Sequence, residues 1–207
     1  MAAPELLLIT PDIAAPDGYR DLLDTALAAA PFAAVILRAA GGDDGLLRAA
    51  KALAPIIRKR DAAVLLDHPA DMRVVARSGA DGAHVAFGAP ALAEAADLLK
   101  PNRMVGVGGL RSKHDAMEAG EADVDYVLFG EPRPDGSLPE PERVIERAQW
   151  WAEIFNLPCV VYARDLASIP DLAETGAEFL ALGPWVFEAG DPAATVREAR
   201  RLASMKM

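Results

Sequence analysis

The chain is expected to fold as an α/β protein, a single (β/α)8 TIM barrel, and three observations carry this expectation. Eight short apolar runs recur at intervals of about 25 residues, and stretches with helical spacing separate them. The runs are apolar throughout rather than alternating, which suits parallel strands buried on both faces. A length of 207 residues matches one barrel core of roughly 200 to 250 residues, so one domain over residues 1–207 is the expected organisation. An open doubly wound sheet competes with it, but no Gly-x-Gly-x-x-Gly turn follows the first run.

Residues 5–10 (ELLLIT) are the first expected strand, followed by a helix over Tyr19 to Ala30. Residues 32–37 (FAAVIL) lead into a helix over Gly45 to Lys59, and residues 62–67 (AAVLLD) form the third strand. Gly79 precedes the fourth, residues 82–86, as a left-handed helix cap would, and a helix follows from Pro90 to Lys100. After the fifth strand, residues 103–107, Ser112 is placed to cap the next helix. The sixth, residues 125–129, runs into Gly130 to Pro139, whose prolines and glycines predict an extended loop over the active face. A helix from Glu140 to Phe155, the strands at 158–162 and 178–182 with Gly176 before the last, and a helix from Ala193 to Met205 complete the pattern.

Lys and Arg number 21 against 31 Asp and Glu, a net charge of −10. Nucleic acid or an anionic membrane would have to bind against that field. The acidic side chains fall mainly on the expected outer helices, at Glu94, Asp97, Glu118, Glu121, Glu140 and Glu142. The one cysteine, Cys159, lies in an apolar run and reads as a buried side chain. No signal peptide or bilayer-length apolar segment is evident, so the protein is expected to be cytoplasmic. His84 reads as a core histidine and His114 as solvent-facing, and the three histidines have no zinc-ligand spacing. Trp150 and Trp151 are expected in core and interface.

In such a barrel, reactive groups project from the carboxyl ends of the strands. Arg38 would place a guanidinium there, suited to phosphate or carboxylate, or else to a structural ion pair. Asp67 could hold Mg²⁺, act as a base, or cap the next helix. His68 would carry protons at neutral pH, or else be a loop residue before Pro69. Gly106-Val107-Gly108-Gly109 at the end of the fifth strand permits close backbone approach to a ligand at Gly108 and Gly109, or only makes a turn. Arg164 and Gly183 occupy the last two strand ends, where many barrels bind phosphate, although Pro184 removes one donor.

The strands taken together resemble the thiamine phosphate synthase/TenI family, from Leu6 to about Pro192. Leu6-Leu7-Leu8-Ile9-Thr10 is similar to its LYLVTD, Gly79-Ala80-Asp81-Gly82-Ala83-His84-Val85 to its GADGVHL, and Ala122 to Gly130 to its GADYVGFGP. The resemblance implies a barrel whose pocket joins a pyrimidine diphosphate to a thiazole phosphate with Mg²⁺, or tautomerises the thiazole phosphate, and it implies a homodimer. Several site positions depart from the family. Of its Gln-x-Arg-x-Lys only Arg38 remains, and its Asn-Asp pair is matched loosely around Asp67. Its GQED reads Ala86-Phe87-Gly88-Ala89, without the second Mg²⁺ carboxylate. Its Thr-x-Thr-Lys has no counterpart in Pro132 to Pro139, and Trp185 stands in its last phosphate turn.

The expected function is therefore that of a diverged member binding a small phosphorylated or anionic heterocycle through Arg38 and Arg164, aided by Gly108, Gly109 and Gly183. If it is catalytic, Asp67 or His68 supplies the acid/base and Glu131 a second carboxylate. A non-catalytic binding or regulatory barrel and an unchanged thiamine phosphate synthase are the alternatives.

Overall fold

Strands β1 (Glu5–Ile9), β2 (Phe32–Leu37), β3 (Ala63–Asp67), β4 (Gly82–Ala86), β5 (Met104–Gly108), β6 (Tyr126–Phe129), β7 (Cys159–Ala163) and β8 (Phe179–Leu182) close in chain order into a parallel barrel in the computed structural model. It describes residues 3–88, 90–188 and 190–205. Helices α1 (Pro16–Leu27), α2 (Gly42–Arg58), α3 (Arg73–Ser78), α4 (Pro90–Leu99), α5 (Lys113–Gly120), α6 (Pro141–Ile154), α7 (Ile169–Ala173) and α8 (Pro192–Ala203) follow the strands in turn. A 3₁₀ turn, Pro184–Phe187, precedes α8. The expected (β/α)8 barrel is the observed fold.

Each strand is buried on both faces, and alternate residues serve two different cores. Leu7, Ile9, Ala34, Ile36, Leu65 and Leu128 fill the barrel interior. Their neighbours Leu6, Leu8, Val35, Leu37, Leu66 and Val127 pack outward beneath the helices. This double burial is why the strands read as unbroken apolar runs. The short helices α3 and α7 escaped the periodicity search, since neither completes two turns. Gly79 takes the left-handed conformation at the end of α3, φ 74°, as a C-cap glycine does. Ser112 caps α5 in a reciprocal capping box with Asp115, which satisfies donors at both residues.

Trp151 on α6 is fully buried, stacked 4.1 Å from Phe155, and donates its indole N–H to the Leu157 carbonyl at 2.7 Å. Trp150 is half-buried beside it. Cys159 faces the outer core, and burial pushes its thiol up to about 12. Since the thiolate is the reactive form, native protein at neutral pH is expected to resist an aromatic disulfide reagent. Denatured protein should release one equivalent, and rapid labelling of native protein would contradict the placement.

Candidate active site

The barrel's own registers assemble the polar groups. Inward parity on β2 runs Ala34, Ile36 and then Arg38; on β3 it runs Leu65 and then Asp67. Leu37 pairs with Leu66 across these strands, so Arg38 and Asp67 fall opposite one another just beyond. Arg38 Nε donates to Asp67 Oδ2 at 2.8 Å. The buried Thr10 hydroxyl accepts the Arg38 backbone N–H at 2.9 Å and holds this strand end in place.

Further round, Asp67 pairs with His84, His84 with Gly106, and Gly106 with Tyr126. These four residues make one lateral row across β3 to β6. Gly106 leaves room for the Tyr126 ring, because a Cβ there would lie 1.9 Å from Tyr126 Cζ. Tyr126 consequently reaches across β5, stacks on His84 with ring centroids 5.7 Å apart, and brings its hydroxyl 2.9 Å from His84 Nδ1. The other ring nitrogen, Nε2, lies 3.2 Å from Glu131 Oε2. His84 is a core histidine with both nitrogens engaged, as expected, but it also belongs to the polar cluster at the mouth.

His68 follows Asp67 with φ 47°, a left-handed conformation uncommon for a residue with a side chain and concentrated at functional sites. Its backbone N–H is held by the His84 carbonyl at 2.8 Å, and its Nδ1 lies 2.8 Å from Asp67 Oδ1. The ring is 43% exposed. Burial would lower the His68 pKa, but the hydrogen bond and charge of Asp67, with Glu131 behind, raise it above the ordinary value. For Asp67, burial pushes upward and is outweighed by the His68 hydrogen bond and the charges of His68, His84 and Arg38, which hold the carboxyl below its usual range. Glu131 is likewise held low: burial opposes ionisation, and His84 overcomes it. Burial and the neighbouring carboxylates raise the Tyr126 phenol well above its ordinary value.

The remaining sequence-predicted residues are placed differently. Gly109 donates its N–H to Glu131 Oε1, and a Cβ on Gly108 would sit 2.1 Å from that oxygen. The space these glycines were expected to open to a ligand is thus occupied by Glu131. At Gly183 the space of a side chain is filled by the Tyr162 hydroxyl, 2.0 Å from the Cβ position, so this glycine makes room for Tyr162. Trp185 donates to the Ala163 carbonyl at 2.8 Å and covers the end of β7. Ala89 lies outside the described residues.

Asp67 does not present a free carboxylate edge to Mg²⁺, since one oxygen meets Arg38 and the other His68. Among the described residues no three His, Cys, Asp or Glu side chains gather as a metal site. A hard divalent ion takes several oxygen ligands, and this donor set does not fit it.

Arg164 is exposed and lines a cleft of about 380 Å³ between the β6–α6 and β7–α7 connections. Leu138, Pro139, Val144 and Ile145 supply apolar wall, and Tyr162, Gly130 and the acidic side chains of Asp165 and Asp171 also line it. Leu138 comes from the irregular loop after β6, which turns back through an Arg133 N–H to Ser137 carbonyl bond of 2.9 Å and packs toward the barrel interior. Tyr162 lines this cleft and shares the buried interior cluster with Tyr126, so the cleft adjoins the polar cluster, and burial raises the Tyr162 phenol. Tyr126 and Tyr162 were not expected at the site, and Gly106, expected to admit a ligand or make a turn, admits the Tyr126 ring instead; the register His84–Gly106–Tyr126 is the signal for Tyr126 and Gly106.

A closed parallel barrel with carboxylates, arginines and imidazoles gathered at the carboxyl ends of its strands is the architecture of the (β/α)8 enzymes. Comparison with known proteins narrows the class: the thiamine monophosphate synthase family model matches residues 6–184, and the chain belongs to that family. A thiamine-phosphate synthase of Rhodospirillum centenum is 38% identical over 95% of this chain and 96% of its own. One from Hyphomonas neptunium is 32% identical over 93% and 90%. Among solved structures, thiamine phosphate pyrophosphorylase from Pyrococcus furiosus superposes with a TM-score of 0.80 at 21% identity, covering 96% of this chain and 95% of its own. A 3-hexulose-6-phosphate synthase does so at 0.74 and 20% identity, covering 95% and 98%. At those identities the structures share the fold. No helix among the described residues is long and apolar enough to cross a membrane.

Proposed function

We propose that this family member binds a small phosphorylated heterocycle of the thiazole phosphate or thiamine phosphate class at the carboxyl face of the barrel. The observation that carries the reading is the cleft beside Arg164, apolar along one wall and lined by Tyr162, on the same carboxyl face of the barrel as the Asp67–His68 pair. Its volume lies within the range of small-molecule sites. The heterocycle packs against Leu138, Val144 and Tyr162, and the phosphate meets the Arg164 guanidinium.

Asp67 orients the His68 ring through Nδ1 and stabilises its protonated form, leaving the exposed edge of the ring to give or take a proton at the ligand. Arg38, already paired with Asp67, holds that carboxylate in place rather than meeting the phosphate. Supplying the protein with a pyrimidine diphosphate and thiazole phosphate tests the reading. Binding of thiazole phosphate or thiamine phosphate is the expected result, and turnover lost in Asp67→Ala would add catalysis to it. Binding with no turnover would instead favour a non-catalytic barrel, a reading to which the internal pairing of both carboxylates lends support. Full synthase activity, readable by rescue of a thiamine auxotroph, is favoured by the extended similarity to the Rhodospirillum centenum protein.

A further inference from the structure

Glu131 is the first residue beyond Gly130 at the end of β6, yet its carboxylate lies over the end of β5. Oε1 accepts the Gly109 N–H, and Oε2 lies 3.2 Å from His84 Nε2. The space exists because residue 108 is glycine: a Cβ there would lie 2.1 Å from Oε1 and 2.8 Å from Oε2. The Glu131 side chain is 9% exposed and that of His84 1%, so water does little to replace either contact.

The proton between these two side chains can be placed. Burial opposes ionisation of Glu131, but His84 overcomes it and holds the carboxyl below its usual range. An ionised carboxylate only accepts hydrogen bonds, so His84 Nε2 carries the proton and donates it to Oε2. On the other side of the ring Nδ1 meets the Tyr126 hydroxyl at 2.9 Å, a group that can donate to a bare nitrogen or accept from a protonated one. Glu131 is therefore the contact with a fixed sense, and it sets the tautomer of the buried ring.

The consequence reaches His68. Its N–H is held by the His84 carbonyl at 2.8 Å, and the two rings meet edge to face with centroids 5.7 Å apart. His68 keeps its left-handed backbone, φ 47°, against the residue that Glu131 anchors. The charged and titratable groups facing it are Arg38 at the end of β2, Asp67 on β3, His84 on β4 and Glu131 beyond β6.

We propose that Glu131 is a positioning residue for His68: it fixes the His84 tautomer, and through His84 it holds the His68 ring on Asp67 with the opposite edge exposed. The assignment rests on His68 as the proton carrier of the function proposed above and adds the group that keeps it in place.

Magnetic resonance of the ring nitrogens and protons in wild type, Glu131→Gln and Gly108→Ala tests this. The chain has three histidines, assigned by replacing His68 and His114 one at a time. Wild type at neutral pH is expected to show a protonated Nε2 on His84. In Glu131→Gln the amide offers one acceptor to two donors, the Gly109 N–H and the His84 Nε2–H. The backbone donor cannot rearrange and the imidazole can, so the ring proton should move to Nδ1. Gly108→Ala keeps the charge but displaces the carboxylate from both donors, and His84 should lose its single tautomer. The His68 resonances should move in both variants, and its pKa should fall by about half a unit or more in Glu131→Gln, where a nearby negative charge is gone.

A bare Nε2 on wild-type His84 overturns the assignment without any variant. So does a change at His84 that leaves the His68 resonances where they are in wild type, and so does Glu131→Gln with both rings unchanged. Thiazole phosphate added to wild type separates this from the binding reading. If His84 and His68 respond as expected and no thiazole phosphate binds, the Glu131 assignment stands and the Arg164 cleft fails as the ligand site. If thiazole phosphate binds and Nε2 of His84 is bare, the cleft stands and the Glu131 assignment falls.

Discussion

Replacing Asp67 by asparagine is expected to destabilise the protein by about 3 kcal/mol, because it leaves the largely buried Arg38 guanidinium without its carboxylate. The substitution also removes the group that raises His68, so the His68 pKa should fall, a change readable by following its ring proton resonances through a pH titration. The stability difference depends on pH with a definite sign. Asp67 is depressed in the folded state, so its contribution is present above the ordinary carboxylate value of about 4 and disappears as pH falls through the depressed one. His68 is raised, so its contribution is full below about 6.5 and is lost as pH climbs through the folded value. Wild type should therefore exceed Asp67→Asn most between about pH 4 and 6.5, measured by denaturant unfolding at several pH values. A difference independent of pH would contradict the coupled Arg38–Asp67–His68 arrangement.

Gly106→Ala is expected to cost about 3 kcal/mol, at the upper end for overpacking. The added methyl enters the space of the Tyr126 ring, 1.9 Å from Cζ. That ring is enclosed by the barrel and hydrogen-bonded to His84, so it cannot move without abandoning the bond. For a chain of this size the cost corresponds to roughly 6 to 12 °C in melting temperature. Gly18→Ala is the matched control: nothing lies within 4 Å of its Cβ position in α1, and alanine in a helix is favoured by up to about 1 kcal/mol. Equal melting temperatures for the two variants would show that the Gly106 row is not packed as described.

The barrel was legible in the sequence because its signal is repeated and local. Eight doubly buried strands each produce an apolar run, and Gly79 and Ser112 mark helix ends with residues chosen for backbone geometry and capping. Strand-end position likewise made Arg38, Asp67, His68, Glu131 and Arg164 visible as candidates. What remained hidden depends on lateral register. Gly106 reads as a turn glycine in Gly106-Val107-Gly108-Gly109 until β5 is set between β4 and β6, when it becomes the gap through which Tyr126 reaches His84. The same holds for Gly108 and Gly183, whose missing side chains accommodate Glu131 and Tyr162 rather than a ligand. Arg38 and Arg164 both lie on inward parity, but Arg38 is consumed by Asp67 on the neighbouring strand, a pairing that no spacing along one strand reveals.

A phosphorylated heterocycle seated in the cleft beside Arg164 is tested by calorimetric titration of thiazole phosphate and thiamine phosphate into wild type and Arg164→Ala. Saturable binding to wild type is expected, with a loss of roughly 10- to 100-fold in affinity for Arg164→Ala, the range for one charge-assisted hydrogen bond. No heat of binding at millimolar ligand, or equal affinity for the two proteins, would contradict it.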